Sequence, residues 1–223
     1  WEPEDNLNCP KLVESYHRTK ARNIPTPVDA STMLINALHT PNSTHTTSAK
    51  PWSTTIQLDL TDIPAEELTT HICNKAGISV HQIAGQFAFV PCETYSVADH
   101  SNITRGHHHR DHSKQHRPPK DFWSQKGLKA VAHDHLVEHV LMAWMCDRDN
   151  GINQAVCMEN PRASLRRREF MHTLPARLGM HRQTVDFCAF GHEFKKPTDV
   201  WTNLHTWQPT GRTGTGRCEQ LCG

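Results

Sequence analysis

Phe87-Ala88-Phe89-Val90-Pro91-Cys92 is an apolar run that ends on a proline and a thiol. Ala155-Val156-Cys157-Met158-Glu159-Asn160-Pro161 has the same form, with a carboxylate where the apolar run stops. Short apolar runs bounded by proline and polar residues read as buried strands that empty into loops. Open α/β sheets hold their ligands in the crevice outside the carboxyl ends of the strands. The two stretches therefore predict Cys92 and Glu159 in one crevice. A thiol beside an acid suits covalent attack on an electron-poor ring.

The surrounding pattern extends this reading. Thr54 to Leu60 alternates like a strand that ends near Asp59 and Asp62, and Pro64-Ala65-Glu66-Glu67-Leu68 opens a helix. Proline in the first turn and acids against the helix dipole favour that start. With the strand at 87–90 this gives a βαβ rhythm, which implies a parallel sheet. Leu128, Val131, Leu136, Val140 and Trp144 recur at helical spacing, so residues 124–145 are expected to form a long helix. A further strand is expected through Thr184-Val185-Asp186-Phe187-Cys188, and the tail after Trp201 reads as loop. Residues 1–52 form a polar, proline-punctuated segment, partly linker, with one helix at Ser31 to Leu38. Residues 53–223 carry the α/β domain.

Composition narrows the class. At 223 residues the chain can bury a full domain core. Hydrophobic content of 36% and a mean hydropathy of −0.65 fit a loop-rich protein. Net charge is +1, so overall charge gives no argument for nucleic acid, while 18 histidines make local charge sensitive to pH near neutrality. No window approaches ~18 consecutive apolar residues, which argues against a membrane span. Eight cysteines and the sequons at Asn42 and Asn102 fit a secreted, disulfide-bonded protein. Cys92 and Cys157, placed at or inside core strands, favour reduced thiols and an intracellular protein instead. The opening Trp1 fits a processed or partial sequence.

Two basic stretches flank the crevice. Residues 93–120 hold Arg105, Arg110, Lys114, Arg117 and Lys120, with six histidines and only three acids. A loop of this length and charge is suited to touching phosphate, and a solvated loop is the plainer alternative. After Pro161 come Arg162, Arg166, Arg167 and Arg168, which either grip phosphates or line a solvated helix face.

The Pro91-Cys92 and Glu159-Asn160-Pro161 motifs resemble those of the cytosine-5 DNA methyltransferases, in which a Pro-Cys loop supplies the nucleophile and Glu-Asn-Val the acid. The strings "PCETYSVADHSN", "MENPRASLRRREFM" and "VDFCAFGHEFKKPTDVWTN" are similar to divergent methyltransferase-like proteins of viruses and mobile elements. The resemblance covers residues 53–223. It implies a Rossmann-like α/β fold with a mostly parallel sheet and helices on both faces. It also implies S-adenosylmethionine as cofactor, DNA as partner, and a nuclear location in a eukaryote. By resemblance Cys92 is the nucleophile and Glu159 the acid. Pro91, Ser96, Asn160 and Pro161 belong to the supporting loops, and Asp59 bonds the cofactor. Arg105, Arg110, Arg166, Arg167, Lys195 and Lys196 are the nucleic-acid-binding candidates, the two lysines in place of the family's Gln-x-Arg-x-Arg element. The family's valine is Pro161 here. The glycine-rich cofactor loop has no counterpart, because no glycine precedes Gly77. An active enzyme and a degenerate relative that only binds nucleic acid both fit this pattern.

Two other readings come from the histidines and cysteines. His135-Leu136-Val137-Glu138-His139 is an inverted zinc-protease pattern, and histidines four apart on a helix can chelate one metal. Chance matching is the simpler account, with these histidines packing. Cys188-x3-His192 and Cys218-x3-Cys222 supply four ligands of the type a structural zinc accepts.

Overall fold

The computed structural model describes residues 32–33, 56–96, 108–121, 123–193 and 195–218. Apart from Thr32–Met33, the N-terminal segment 1–52 lies outside them. Thr32–Met33 (β1) pairs antiparallel with Ile56–Gln57 (β2) in a small separate sheet. Thr32 and Met33 are thus extended rather than part of the helix expected at Ser31 to Leu38. Beyond β2 the chain turns at Leu60–Asp62, where Asp59 Oδ1 accepts from the Thr61 amide at 3.0 Å. The expected strand is cut short here because the Asp59 side chain caps a turn, a conformation that competes with extended pairing.

Ala65–Ala76 forms the first helix, α1. Glu66 and Glu67 sit in its first turn, and Gly77, at φ 69°, ends it by donating to Asn74 and Cys73 carbonyls. That left-handed stop is cheap only for glycine. Next come strand β3, Gly85–Phe89, and the long helix α2, Gln125–Asp149, capped by Ser124 accepting from the Gly127 amide. Residues 139–147 of α2 are all buried. Strand β4 is Ala155–Pro161, followed by helix α3, Phe170–Arg177, and strands β5, His181–Asp186, and β6, Pro197–Thr202.

The main sheet has the order β3-β4-β6-β5. β3 and β4 run parallel, with Gly85 opposite Ala155 and Phe89 opposite Glu159. β6 is antiparallel to both of its neighbours. The sheet is therefore mixed, and the expectation of a mostly parallel one is corrected. After β5 the chain reverses at Phe187–Phe190, and β6 slots between β4 and β5 instead of continuing a crossover. Nor does β2 join this sheet, so the parallel pair arises from β3-α2-β4 and not from the earlier βαβ.

Strand alternation gives the sheet two different faces. Ala88, Val156, Met158 and Trp201 point into a core built with Leu68 and Ile72 of α1, Val137, Leu141 and Trp144 of α2, and Met171 and Leu174 of α3. Phe87 and Phe89 point the other way and are 55% and 67% exposed. Among the described residues the helices share one face, which corrects the expectation of helices on both.

A polar node ties α1, α2 and the start of the parallel pair together. The buried Asp147 Oδ2 accepts from Thr69 Oγ1 at 2.6 Å, Gln154 Nε2 at 2.8 Å and Gln86 Nε2 at 3.2 Å. Burial pushes its pKa up, and these three bonds pull it back. Trp144 Nε1 completes the node by donating to Gln86 Oε1 at 2.9 Å. No helix among the described residues is long and apolar enough to cross a membrane.

Candidate active site

The parallel register decides where the two motifs meet. Phe89, the last residue of β3, stands opposite Glu159 of β4. The chain leaves β3 through Val90 and Pro91, so Cys92 emerges at the same carboxyl end as Glu159. Asn160 locks the two exits together. It is fully buried, and its Nδ2 donates to the Val90 carbonyl at 3.3 Å. Asn160 thus braces the Pro-Cys loop rather than its own. Pro161 closes β4 opposite Thr198.

Beyond Pro91 the backbone coils into a tight turn. The Cys92 carbonyl accepts from the Tyr95 amide at 3.0 Å and the Ser96 amide at 2.9 Å. Ser96 Oγ donates to the Glu93 carbonyl at 3.3 Å. Cys92 itself is exposed. Cys157 differs: it is half-buried, and burial with the Glu159 charge pushes its thiol up to about 11. Only the thiolate is an effective nucleophile, so Cys157 is chemically quiet and Cys92 is the accessible thiol at this end.

Glu159 is half-buried, and its Oε2 is inaccessible with no hydrogen-bond partner among the described residues. Burial pushes its carboxyl pKa up, with the Lys196 charge opposing. Burial favours the neutral form of a carboxyl more than water does, and that form can donate a hydrogen bond. Lys196 Nζ lies 4.8 Å from the centre of the Phe187 ring. Lys195 is exposed nearby in sequence.

The turn after Cys92 is held from below by a charged network that the motifs do not reveal. Arg110 is fully buried. Its Nε donates to the Thr94 carbonyl at 2.8 Å, and its Nη2 reaches Asp134 Oδ1 at 2.9 Å and Thr94 Oγ1 at 3.1 Å. The guanidinium lies 4.1 Å over the Tyr95 ring, and Tyr95 Oη donates to Asp134 Oδ1 at 2.7 Å. Arg168 Nη2 adds a second cation to Asp134 at 2.8 Å. Glu93, on the outer side, pairs with Lys129 at 2.6 Å, and that bond holds its carboxyl below the usual range. Asp134 carried one legible signal: an acid inside an apolar helical stripe needs a cationic partner.

Arg110 therefore cannot serve as a phosphate contact, and this expectation is corrected: its donors are spent on Thr94, Ala130 and Asp134 inside the protein. Arg105 lies outside the described residues. Arg166 is half-buried and Arg167 exposed, both on the turn after β4. Asp59, expected to hold the cofactor, is exposed and uses Oδ1 on both the amide and hydroxyl of Thr61.

Neither metal reading gains a centre. No group of three His, Cys, Asp or Glu residues among the described ones is placed to hold a metal ion. Cys188 and Cys218 are half-buried and His192 is exposed, with its ring 5.1 Å from that of Phe187. Cys222, the fourth expected ligand, lies outside the described residues. In the His135-to-His139 pattern, His139 is fully buried in α2. A protease metal needs an open coordination position for substrate, and the structure shows none at this pattern among the described residues.

Glu138, the acid of that pattern, gives a pH signature. Burial, reinforced by the Asp134 charge, raises its carboxyl from 4.5 to about 7. The folded state then binds this proton more tightly than the unfolded chain does. The stabilising contribution is full below about 4.5 and is lost as pH rises through about 7. Glu138→Gln should raise stability over the parent by about 2–3 kcal/mol at pH 8 and leave it nearly unchanged at pH 4. Urea unfolding at the two pH values reads this directly, and equal gains at both would contradict it.

No protein-family model, curated protein or solved structure matches the chain.

Proposed function

We propose that the chain is a divergent relative of the cytosine-5 DNA methyltransferases, with a Rossmann-like ancestry, in which Cys92 and Glu159 activate a cytosine ring. The observation that carries this reading is the parallel register of β3 and β4, with the Asn160–Val90 bond across it. It brings an accessible thiol and a carboxyl of raised pKa to one end of the sheet, at the two motifs that resemble the family.

The chemistry assigned to these side chains is addition and elimination. Cys92 Sγ, as thiolate, bonds to ring carbon 6. The π pair of the carbon 5–carbon 6 bond moves towards nitrogen 3, and Glu159 gives that nitrogen its proton. Carbon 5 becomes the nucleophilic position of an enamine. On reversal the proton returns to Glu159, carbon 6 releases the thiolate, and the ring is restored. A base inside a duplex is out of reach of Cys92, so the target is flipped out or single-stranded.

S-adenosylmethionine would supply the methyl group when bound. Its fit to the described residues is poor. The first described glycine after β2 is Gly77, at the end of a helix and not at a strand-to-helix turn, and Asp59 spends Oδ1 on capping Thr61. This misfit favours a second reading, a relative that binds DNA without methylating it. Calorimetric titration with S-adenosylmethionine separates the two. Micromolar binding is expected of the enzyme, and no heat from a folded sample leaves the non-methylating binder.

A further inference from the structure

Two chain segments bring guanidinium groups together just beyond the end of β4, and a third, β5, adds Arg182 within electrostatic reach of Arg166. Arg162, Arg166 and Arg167 lie on the turn that follows Pro161. Arg117 comes from the segment after Arg110 and is fastened to this turn, with Nη1 donating to Ser164 Oγ at 3.2 Å. Its neighbour His116 shares a 3.2 Å bond with the Arg167 carbonyl, and Arg168 Nη1 donates to the His116 carbonyl at 2.8 Å. Arg182 is exposed on the edge strand β5. The turn reaches the same sheet, because the Arg162 amide donates to the Pro197 carbonyl at 2.8 Å.

These cations are not matched by acids. Among the described residues no carboxylate forms an ion pair with Arg117, Arg162, Arg166, Arg167 or Arg182. Arg117 Nε is buried and has no hydrogen-bond partner there. The positive charges act on one another: Arg166 feels Arg162, Arg182 and Arg167, and Arg117 feels Arg167 and Arg166. Burial, the largest cause, and these neighbours lower the pKa of both residues. Asp199 offsets this at Arg166 only. Asp199 is itself fully buried, with Oδ1 accepting from Thr184 Oγ1 at 2.7 Å. Arg110 and Arg168, by contrast, both pair with Asp134.

We propose that Arg117, Arg162, Arg166, Arg167 and Arg182 form one surface, next to the carboxyl end of β4, that grips the phosphate backbone of DNA. The proposal rests on DNA being the partner and specifies how it is held. Like charges gathered without counterions repel, and an anion relieves them. Guanidinium forks match phosphate oxygens in a planar, two-bond geometry. Arg117 and Arg182 come from other elements than Arg166 and each interacts with it electrostatically, so the positive charge is spread over three chain segments. Charge spread in this way suits a ligand carrying several phosphates. The start of the surface at Arg162, three residues after Glu159, puts backbone contacts next to the base that Cys92 would attack.

The test is fluorescence anisotropy of the full chain with a labelled cytosine-containing duplex, over a range of salt concentrations. Neutralising Arg162, Arg166, Arg167 and Arg182 together with glutamine should lower the slope of log K against log salt by about 3 to 4, because each phosphate contact contributes about 0.9. Arg182→Gln and Arg167→Gln alone should each remove about one contact's worth, and these exposed positions keep the test valid if the fourfold variant fails to fold. Lys75→Gln, at the far end of α1, should leave the slope as it is. Parent-like slopes in the single variants would overturn this surface while leaving DNA as the partner. A parent that binds no duplex would overturn both.

Discussion

Arg110→Met should lower the unfolding free energy by about 3–5 kcal/mol, read as a lower urea midpoint at pH 7. Arg110 is fully buried and faces a buried Asp134, so truncating it removes the more deeply buried of that carboxylate's two cationic partners. Arg168 still reaches Asp134 at 2.8 Å, which places the loss inside this range rather than above it. Thr94 Oγ1 and the Thr94 and Ala130 carbonyls also lose their donor. The paired variant Arg110→Met with Asp134→Leu should recover only part of the loss, because it removes both of these charges but leaves Arg168 and the Tyr95 hydroxyl without Asp134. A single-variant loss below about 1 kcal/mol would mean that water already screens this pair. The network matters for function through position. It fixes Thr94 and Tyr95, and Tyr95 closes the turn that starts at the Cys92 carbonyl.

Cys92→Ser should abolish cytosine activation, by more than about a thousand-fold, while Cys157→Ser changes it only slightly. A hydroxyl in place of the thiol is a far weaker nucleophile at neutral pH. Cys157, with its thiol pushed up to about 11, holds almost no thiolate at pH 7. On the proposed chemistry Glu159 sets the alkaline side of the profile. Burial raises its carboxyl pKa, so the protonated form needed at ring nitrogen 3 persists further towards neutrality and is lost as pH climbs through that raised value. The parent rate should fall on this limb, and Glu159→Gln should be slow and lack the limb. Equal rates for Cys92→Ser and the parent would remove Cys92 from the chemistry.

The parts of the fold legible in the sequence are those set by local chemistry. α1 begins where Pro64, Glu66 and Glu67 forecast it, and α2 follows the apolar spacing from Leu128 to Trp144. β3 and β4 fall on the two apolar runs that frame the motifs. Pairing was not legible. Nothing local to Pro197–Thr202 says that this strand inserts antiparallel between β4 and β5, because both neighbours come from other parts of the chain. Nor does the alternation around Ile56–Gln57 show that β2 pairs with Thr32–Met33 instead of joining the main sheet.

The same division runs through the site. Cys92, Glu159 and Asn160 were marked by motif, and their shared end of the sheet followed from strand and loop order. The arginines were not separable by sequence. Arg110 and Arg117 sit on one loop of similar charge, yet Arg110 is consumed by Asp134 and Arg117 leans on Ser164. Only the distant acid at Asp134, on α2, tells them apart. A basic run states how much charge is present, and the folded chain decides which charges remain available.

Activation of the ring by Cys92 can be read without a methyl donor. Thiolate addition at carbon 6 makes carbon 5 basic, so a cytosine cycling through the Cys92 adduct exchanges its carbon 5 hydrogen with solvent. A cytosine-containing single-stranded oligonucleotide incubated with the chain in heavy water, then digested and weighed by mass spectrometry, reports that exchange. Incorporation of deuterium at carbon 5 with the parent, and none with Cys92→Ser, is the result expected. No incorporation by a folded parent that binds the oligonucleotide would contradict ring activation by Cys92 and Glu159.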